Sequence, residues 1–161
     1  MLQVLISFSS KGGNTEKMAY AVAKGVESVN GVKAVVKRAK DTGTDDLSEA
    51  HGIIIGSPVY FGSVSAEVKE LIDRSVSVRR KLRDKVGAAF TTSGHVTGGK
   101  ELTLFSIIAA MLIHEMIIVG DPIEAGGHFG AAATGLPSAS DESNAAALGE
   151  RVAKIVKKVN S

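Results

Sequence analysis

Three short stretches hold the residues whose types and spacing could do chemistry. Directly after the apolar run Val4 to Phe8 comes Ser9-Ser10-Lys11-Gly12-Gly13-Asn14-Thr15, ahead of a helix expected over Glu16 to Val29. Such a loop can aim backbone N–H groups and three hydroxyls at one anion, with the positive end of the helix dipole behind them. The alternative is a strand-to-helix turn in which Ser and Thr only cap the helix. A second stretch, Ser57-Pro58-Val59-Tyr60-Phe61-Gly62-Ser63, follows Ile53-Ile54-Ile55-Gly56. Pro58 stiffens the turn, and adjacent Tyr60 and Phe61 stand where a loop is normally polar. A planar ring system would explain them, unless they fold back onto the core. The third, Thr91-Thr92-Ser93-Gly94-His95-Val96-Thr97-Gly98-Gly99, follows a strand ending at Phe90. Its three glycines and four hydroxyls suit close backbone approach to a ligand with many acceptors.

Two nucleotide motifs fail on inspection. Gly94 to Lys100 fits the start of a Walker A pattern, but Glu101 stands where Ser or Thr must meet Mg²⁺. No Gly-x-Gly-x-x-Gly follows the first strand, so the usual dinucleotide fingerprint is missing. The acids Asp41, Asp45, Asp46 and Glu49 read as a solvated turn and cap, and no His or carboxylate spacing defines a metal site. The basic cluster Arg79, Arg80, Lys81, Arg83 and Lys85 has no interleaved aromatics and reads as a solvated connection rather than a nucleic-acid surface.

The elements that must position these loops alternate regularly. Apolar runs at Val4 to Phe8, Ala34 to Val36, Gly52 to Gly56, Val86 to Thr91 and Met116 to Val119 are separated by helical patterns. This is the mark of repeated βα units around a parallel sheet. Ile53-Ile54-Ile55 and Ile117-Ile118-Val119 are continuous, as strands covered on both faces should be. A three-layer α/β/α sandwich follows. Met18, Val22, Val26 and Val29 mark one helix face, and Val68, Leu71 and Ile72 mark another. A last helix uses Ala145, Leu148, Val152, Ile155, Val156 and Val159, with Ser140-Asp141-Glu142 as its expected cap and acidic first turn. The helix expected over about Lys100 to Ile113 is apolar around most of its circumference, so its outer side needs cover, and a homodimer or homotetramer is expected.

Composition sets the outer bounds. The 161 residues fit one domain spanning 1–161, and 44% hydrophobic with 22% charged residues describes a globular chain. A net charge of +2 implies neither a nucleic-acid nor an anionic-membrane partner. With no cysteine there is neither a disulfide framework nor a thiolate metal site, and a cytoplasmic location is the expectation. Met1-Leu2-Gln3-Val4 does not read as a signal peptide, and the longest apolar run, Ile107 to Ile113, is too short to span a bilayer.

Taken in order, the three loops resemble those of flavodoxin-like FMN proteins, and most closely the WrbA-type NAD(P)H:quinone oxidoreductases and their short relatives. The resemblance runs over nearly the whole chain. It is carried by Ser10 to Thr15 with Met18-Ala19, by Gly56 to Gly62 with Ser65-Ala66, by Thr92-Ser93-Gly94 through Gly98-Gly99, and by Gly127-His128-Phe129-Gly130-Ala131. What it implies is a flavodoxin-like sheet of five parallel strands in the order 2-1-3-4-5. FMN would be held by Ser9, Ser10, Lys11, Gly12, Gly13, Asn14 and Thr15, by Ser57, Pro58, Val59, Tyr60, Phe61 and Gly62, and by Thr92, Ser93, Gly94, His95, Gly98 and Gly99. The phosphate would lie in the first loop, the isoalloxazine beside Val59, Tyr60 and Phe61, and the pyrimidine edge and ribityl chain against the third loop.

The implied activity is two-electron reduction of quinones or similar acceptors by NAD(P)H. Its alternative is a flavodoxin-type electron carrier that docks on a redox protein and turns over no substrate of its own. Carriers of that kind are usually acidic, and this chain is slightly basic. A receiver-like signalling module would need acids at the end of the first strand, where Ser7, Ser9 and Ser10 stand. His95 and His128 are candidate proton donors or simple loop histidines, and His114 either matches a family histidine that approaches the flavin or meets the last carbonyls of its own helix. The chain departs from the longer WrbA-type enzymes in its shorter connections after Arg74 and Val119, in having no Trp, and in placing Gly12 where the family often has an aromatic.

Overall fold

A computed structural model describes all of residues 1–161. Five helices, α1 (Asn14–Glu27), α2 (Thr44–Glu49), α3 (Ala66–Arg74), α4 (Lys100–Ile113) and α5 (Ala139–Val159), alternate with β1 (Leu2–Phe8), β2 (Val32–Arg38), β3 (Gly52–Pro58), β4 (Val86–Ser93), β5 (Ile117–Ile118) and β6 (Ala131–Thr134). The strands run parallel in the order β2-β1-β3-β4-β5, as the resemblance implies.

The sheet has a sixth strand that the five apolar runs do not announce. β5 pairs with Val86 and Gly87 at the start of β4, and β6 pairs with Phe90 to Ser93 at its end. The two therefore share one lane, a single fifth strand position interrupted by residues 119–130. Ala131-Ala132-Ala133 lacks the β-branched and aromatic residues that mark strands. It is strand because the outer edge of β4 offers it a ladder.

Continuous apolar strands have two covered faces here. Val4, Ile6, Phe8, Ile54 and Phe90 pack toward α1 and α5 with Met18, Val22, Leu148 and Val152. Leu5, Ile53 and Ile55 pack toward the other layer with Leu71, Leu104, Ile107 and Met111. The α1–α5 contact depends on two glycines: a Cβ on Gly25 would come within 1.8 Å of the Ala146 carbonyl oxygen, and one on Gly149 within 2.1 Å of that of Val22.

The helix boundaries shift for local reasons. α1 begins at Asn14, because Gly13 with φ +93 turns the chain into it, and ends at Glu27 rather than Val29. α5 is capped by Ser138, two residues before Ser140; its Oγ accepts the Asp141 N–H at 3.1 Å and the Asp141 carboxylate accepts the Ser138 N–H at 2.8 Å.

Arg79, Arg80, Lys81 and Arg83 are exposed, as expected of a solvated connection, and Lys85 alone of the basic cluster is half-buried. Arg79 donates twice to the carbonyl of Ile113 at the end of α4, and half-buried Lys85 donates to carbonyls of Leu47, Ser48 and Ala50 at the end of α2. Both cations complete helix C-termini. Burial holds the Lys85 ammonium below its usual value. Asp46 plays the capping part expected of the acidic stretch: it accepts the Gly43 N–H at 2.8 Å and pairs with Lys37 at 2.6 Å.

Candidate functional site

From β1 the chain passes to β2 on one side and then crosses back to β3 on the other, so the strand order reverses at β1. In open parallel sheets ligands bind outside the carboxyl ends of the strands at such a point. A cleft of about 170 Å³ lies there, lined by Ser10, Lys11, Gly12, Asn14, Thr15, Pro58, Val59, Tyr60, Thr92, Ser93 and Gly94. All eleven come from three stretches at the carboxyl ends of β1, β3 and β4, the first running into α1.

The first loop gives α1 no side-chain cap, its N-cap being Gly13. Ser10 Oγ instead accepts the Gly13 N–H at 3.1 Å, closing the loop on itself. The first turn of α1 thus reaches the cleft without a capping side chain, which is the donor arrangement that an anion completes. A Cβ added to Gly12 or to Gly94 would meet no protein atom within 4 Å, so both leave room for a ligand.

Thr92 joins the loops to one another. Its Oγ1 lies 2.7 Å from Thr15 Oγ1, a buried bond between residues 77 apart, and its carbonyl accepts the Val59 N–H at 2.8 Å. One residue of β4 therefore fixes both the phosphate-type loop and the aromatic loop. Ser57 is fully buried and structural: its Oγ accepts the Ser65 N–H at 2.9 Å and donates to the Pro58 carbonyl at 2.8 Å. Ser9 is also buried and donates its N–H to Gly56 O.

The aromatics do not fold back. Tyr60 and Ser63 exchange backbone hydrogen bonds around Phe61 and Gly62, both at positive φ (50 and 74), as in a type I′ hairpin. Phe61 stands wholly exposed at the tip and Tyr60 is 42% exposed, with Tyr60 on the cleft wall. The third loop packs against this hairpin: a Cβ on Gly99 would come within 2.9 Å of Gly62 Cα. It is held by the His95 carbonyl, which accepts from Ser93 Oγ at 2.7 Å and from Gly98 N at 3.0 Å. Of the residues expected in the site, Ser9, Gly13, Ser57, Phe61, Gly62, His95, Gly98 and Gly99 support or rim the cleft without lining it.

The three candidate histidines are not brought together. Exposed His95 turns its Nδ1 to the N–H and hydroxyl of Thr97, outside the cleft. His128 lines a different cavity beyond β6. His114 is the C-cap of α4, about 20 Å down the helix from the third loop. It shares a 2.7 Å bond with Ser75 Oγ, and burial first, then the charge of Arg79, holds its imidazole below the ordinary value. Within one chain it therefore stands at a helix end, away from the cleft.

Arg38 was not visible in the sequence as a site residue. It pairs with Phe8 across β1 and β2, stacks its guanidinium 5.4 Å above that ring, donates to Ser10 O at 2.8 Å and bridges Glu16 at 3.0 Å. Position was its only signal: the last residue of the strand beside β1.

The chain is similar to known proteins in sequence and in fold. Residues 31–130 match the family described as NADPH-dependent FMN reductase. The chain is 36% identical to an NAD(P)H dehydrogenase (quinone) of Archaeoglobus fulgidus, over 99% of this chain and 100% of that one. It is 29% identical to a flavodoxin of Clostridium saccharobutylicum over 98% and 99% of the two chains. Among solved structures, a WrbA-like flavodoxin from Agrobacterium tumefaciens superposes with a TM-score of 0.84 at 28% identity, covering 98% of this chain and 99% of the other.

Proposed function

The chain belongs to the NADPH-dependent FMN reductase family, and on that premise we propose that it is an FMN-binding oxidoreductase that passes two electrons from NAD(P)H to quinones or similar acceptors. The observation that carries this reading is the convergence of three loops on one cleft whose α1 end is a helix N-terminus without a side-chain cap.

The residues present fit the group. The donor set is hydroxyls and backbone amides, which suits a phosphate ester. Ser10, Lys11, Gly12, Asn14 and Thr15 would hold the phosphate, Pro58, Val59 and Tyr60 would wall the isoalloxazine, and Thr92, Ser93 and Gly94 would meet its polar edge and the ribityl chain. Bound there, FMN would supply the redox chemistry that links a reduced nicotinamide to a two-electron acceptor. The chain's own residues orient and shield. Thr92 holds the first and second loops in register. Exposed Tyr60 and Phe61 offer a planar acceptor a stacking surface at the mouth.

The balance is NAD(P)H, a quinone and one proton giving NAD(P)⁺ and a hydroquinone. No histidine lines the cleft, so we assign that proton to solvent at its open mouth. A relative named flavodoxin favours a second reading, a carrier without its own substrate. The slightly basic charge of the chain weighs against it. The outward Leu102, Phe105, Leu112 and Ile113 of α4 support a homodimer or homotetramer.

The test is to titrate FMN-free protein with FMN and with riboflavin, following flavin fluorescence. One FMN per chain bound below about 1 µM, with riboflavin at least about tenfold weaker, is the expected result. Equal affinity for the two flavins, or no uptake of FMN at about 50 µM, would contradict it.

A further inference from the structure

The cleft is not the largest cavity in the molecule. A second one, of about 310 Å³, lies beyond the edge strand β6, between the first turn of α4, residues 121–130 and α5. That is the size of a small-molecule site.

Its walls are built rather than incidental. Asp121 is 4% exposed, and its Oδ1 accepts the N–H groups of His128 and Gly130 at 3.0 and 3.1 Å. Arg151, from α5, donates to the carbonyls of Gly120 and Asp121 at 3.0 and 2.9 Å. The segment is thereby pinned to the helix, and the cavity is preformed. Lys100 Nζ reaches Thr134 Oγ1 at 2.5 Å on one side. Phe129 is seated on Phe105, ring centres 4.5 Å apart, and keeps 44% of its surface exposed.

The lining chemistry selects a class of ligand. Lys100, His128 and the start of α4, which no side chain caps, favour an anionic group, whereas the Glu101 carboxylate opposes one, and Asp121 is turned to the N–H groups of His128 and Gly130. Phe129 offers a ring face, Asn144 an amide with both donor and acceptor, and Glu101 an acceptor for hydroxyls. Phosphate, heterocycle and sugar hydroxyls together describe a nucleotide. Location then narrows the source. Ala132 of the cavity wall pairs with Thr91, next to Thr92 of the cleft, on strands about 4.8 Å apart. The third loop leads from the cleft straight into Lys100.

We propose that this cavity receives the adenylate half of the pyridine dinucleotide whose nicotinamide half reacts at the cleft. The inference rests on the oxidoreductase reading above. Its first test is calorimetric titration of the FMN-loaded chain with adenosine 5′-monophosphate. The expected result is saturable 1:1 binding that Lys100→Ala and Asn144→Ala each weaken about tenfold while FMN affinity stays the same. The second compares NADPH with reduced nicotinamide mononucleotide, which lacks the adenylate. Both variants should slow flavin reduction by NADPH and leave reduction by the mononucleotide unchanged.

Absence of saturation at about 5 mM adenylate, or binding that neither variant changes, would overturn the assignment. So would equal effects on the two reductants. A chain that takes up no FMN removes the parent reading as well, and that is seen before any adenylate is added.

Discussion

At the scale of single residues, Thr92 makes the sharpest prediction. Its hydroxyl is the only partner that the fold gives Thr15 Oγ1, and both groups are buried. Removing it in Thr92→Val leaves a buried hydroxyl unpaired, at about 1–2 kcal/mol, so FMN affinity should fall roughly tenfold. Riboflavin affinity should change less, since the lost bond braces the phosphate loop, and Thr92→Ser should restore FMN binding. Equal losses for both flavins in a fluorescence titration would contradict this role. Phe61 is the opposite case. It is wholly exposed at φ 50 and contributes no buried surface, so Phe61→Ala should leave the melting temperature within about 2 °C. In steady-state assays the same change should raise KM for a quinone more than it lowers kcat.

Residue types were enough to bring all eleven lining residues into three stretches, because hydroxyls, glycines and aromatics are out of place after apolar strands. Arg38 was not legible. Nothing in its local sequence separates a charged strand end from a solvated one, and only the β1–β2 register sets it against Ser10.

At the scale of elements, the α1–α5 contact is the least forgiving. Gly149→Ala places a Cβ 2.1 Å from the Val22 carbonyl oxygen, and a backbone atom cannot swing aside. Overpacking of this kind costs about 1–3 kcal/mol, and chemical denaturation should show it. The end of α4 carries a pH dependence. His114 is held below its ordinary value by burial first and then by Arg79, and His51 by burial first, then Lys85 and the N-terminus. The unfolded chain therefore binds more protons than the folded one once pH falls below about 6.5, so stability is full above that value and declines beneath it. Urea midpoints at about pH 7.5 and 5 should differ, and His114→Gln should narrow the gap. An unchanged gap would remove His114 as a cause.

The strand pattern was legible wherever both faces are covered, as in Ile53-Ile54-Ile55. β6 was not, because three alanines carry no strand signal and their ladder depends on a distant edge of β4. The cap of α5 was misplaced by two residues because Ser138 and Ser140 are equally good hydroxyls; only Ser138 has Asp141 three residues ahead.

At the scale of the whole molecule, α4 presents Leu102, Phe105, Leu112 and Ile113 to the outside, all at least 45% exposed. Phe129 leans on Phe105, and the four side chains otherwise stay open to solvent. Light scattering should find a dimer or tetramer at micromolar concentration, and Phe105→Lys with Leu112→Lys should yield a folded monomer. A wild-type monomer would contradict the assignment of that face. The three-layer architecture itself was readable from alternating runs, since each βα unit is local; how copies meet is not written in any period.

The three-loop cleft would make this chain a two-electron oxidoreductase. The most direct test is anaerobic stopped-flow mixing of the FMN-loaded protein with NADPH, followed by benzoquinone, while the visible flavin absorbance is recorded. Rapid, complete bleaching by NADPH and immediate recovery on adding the quinone are expected. Flavin that binds but stays oxidised for minutes under excess NADPH would contradict it.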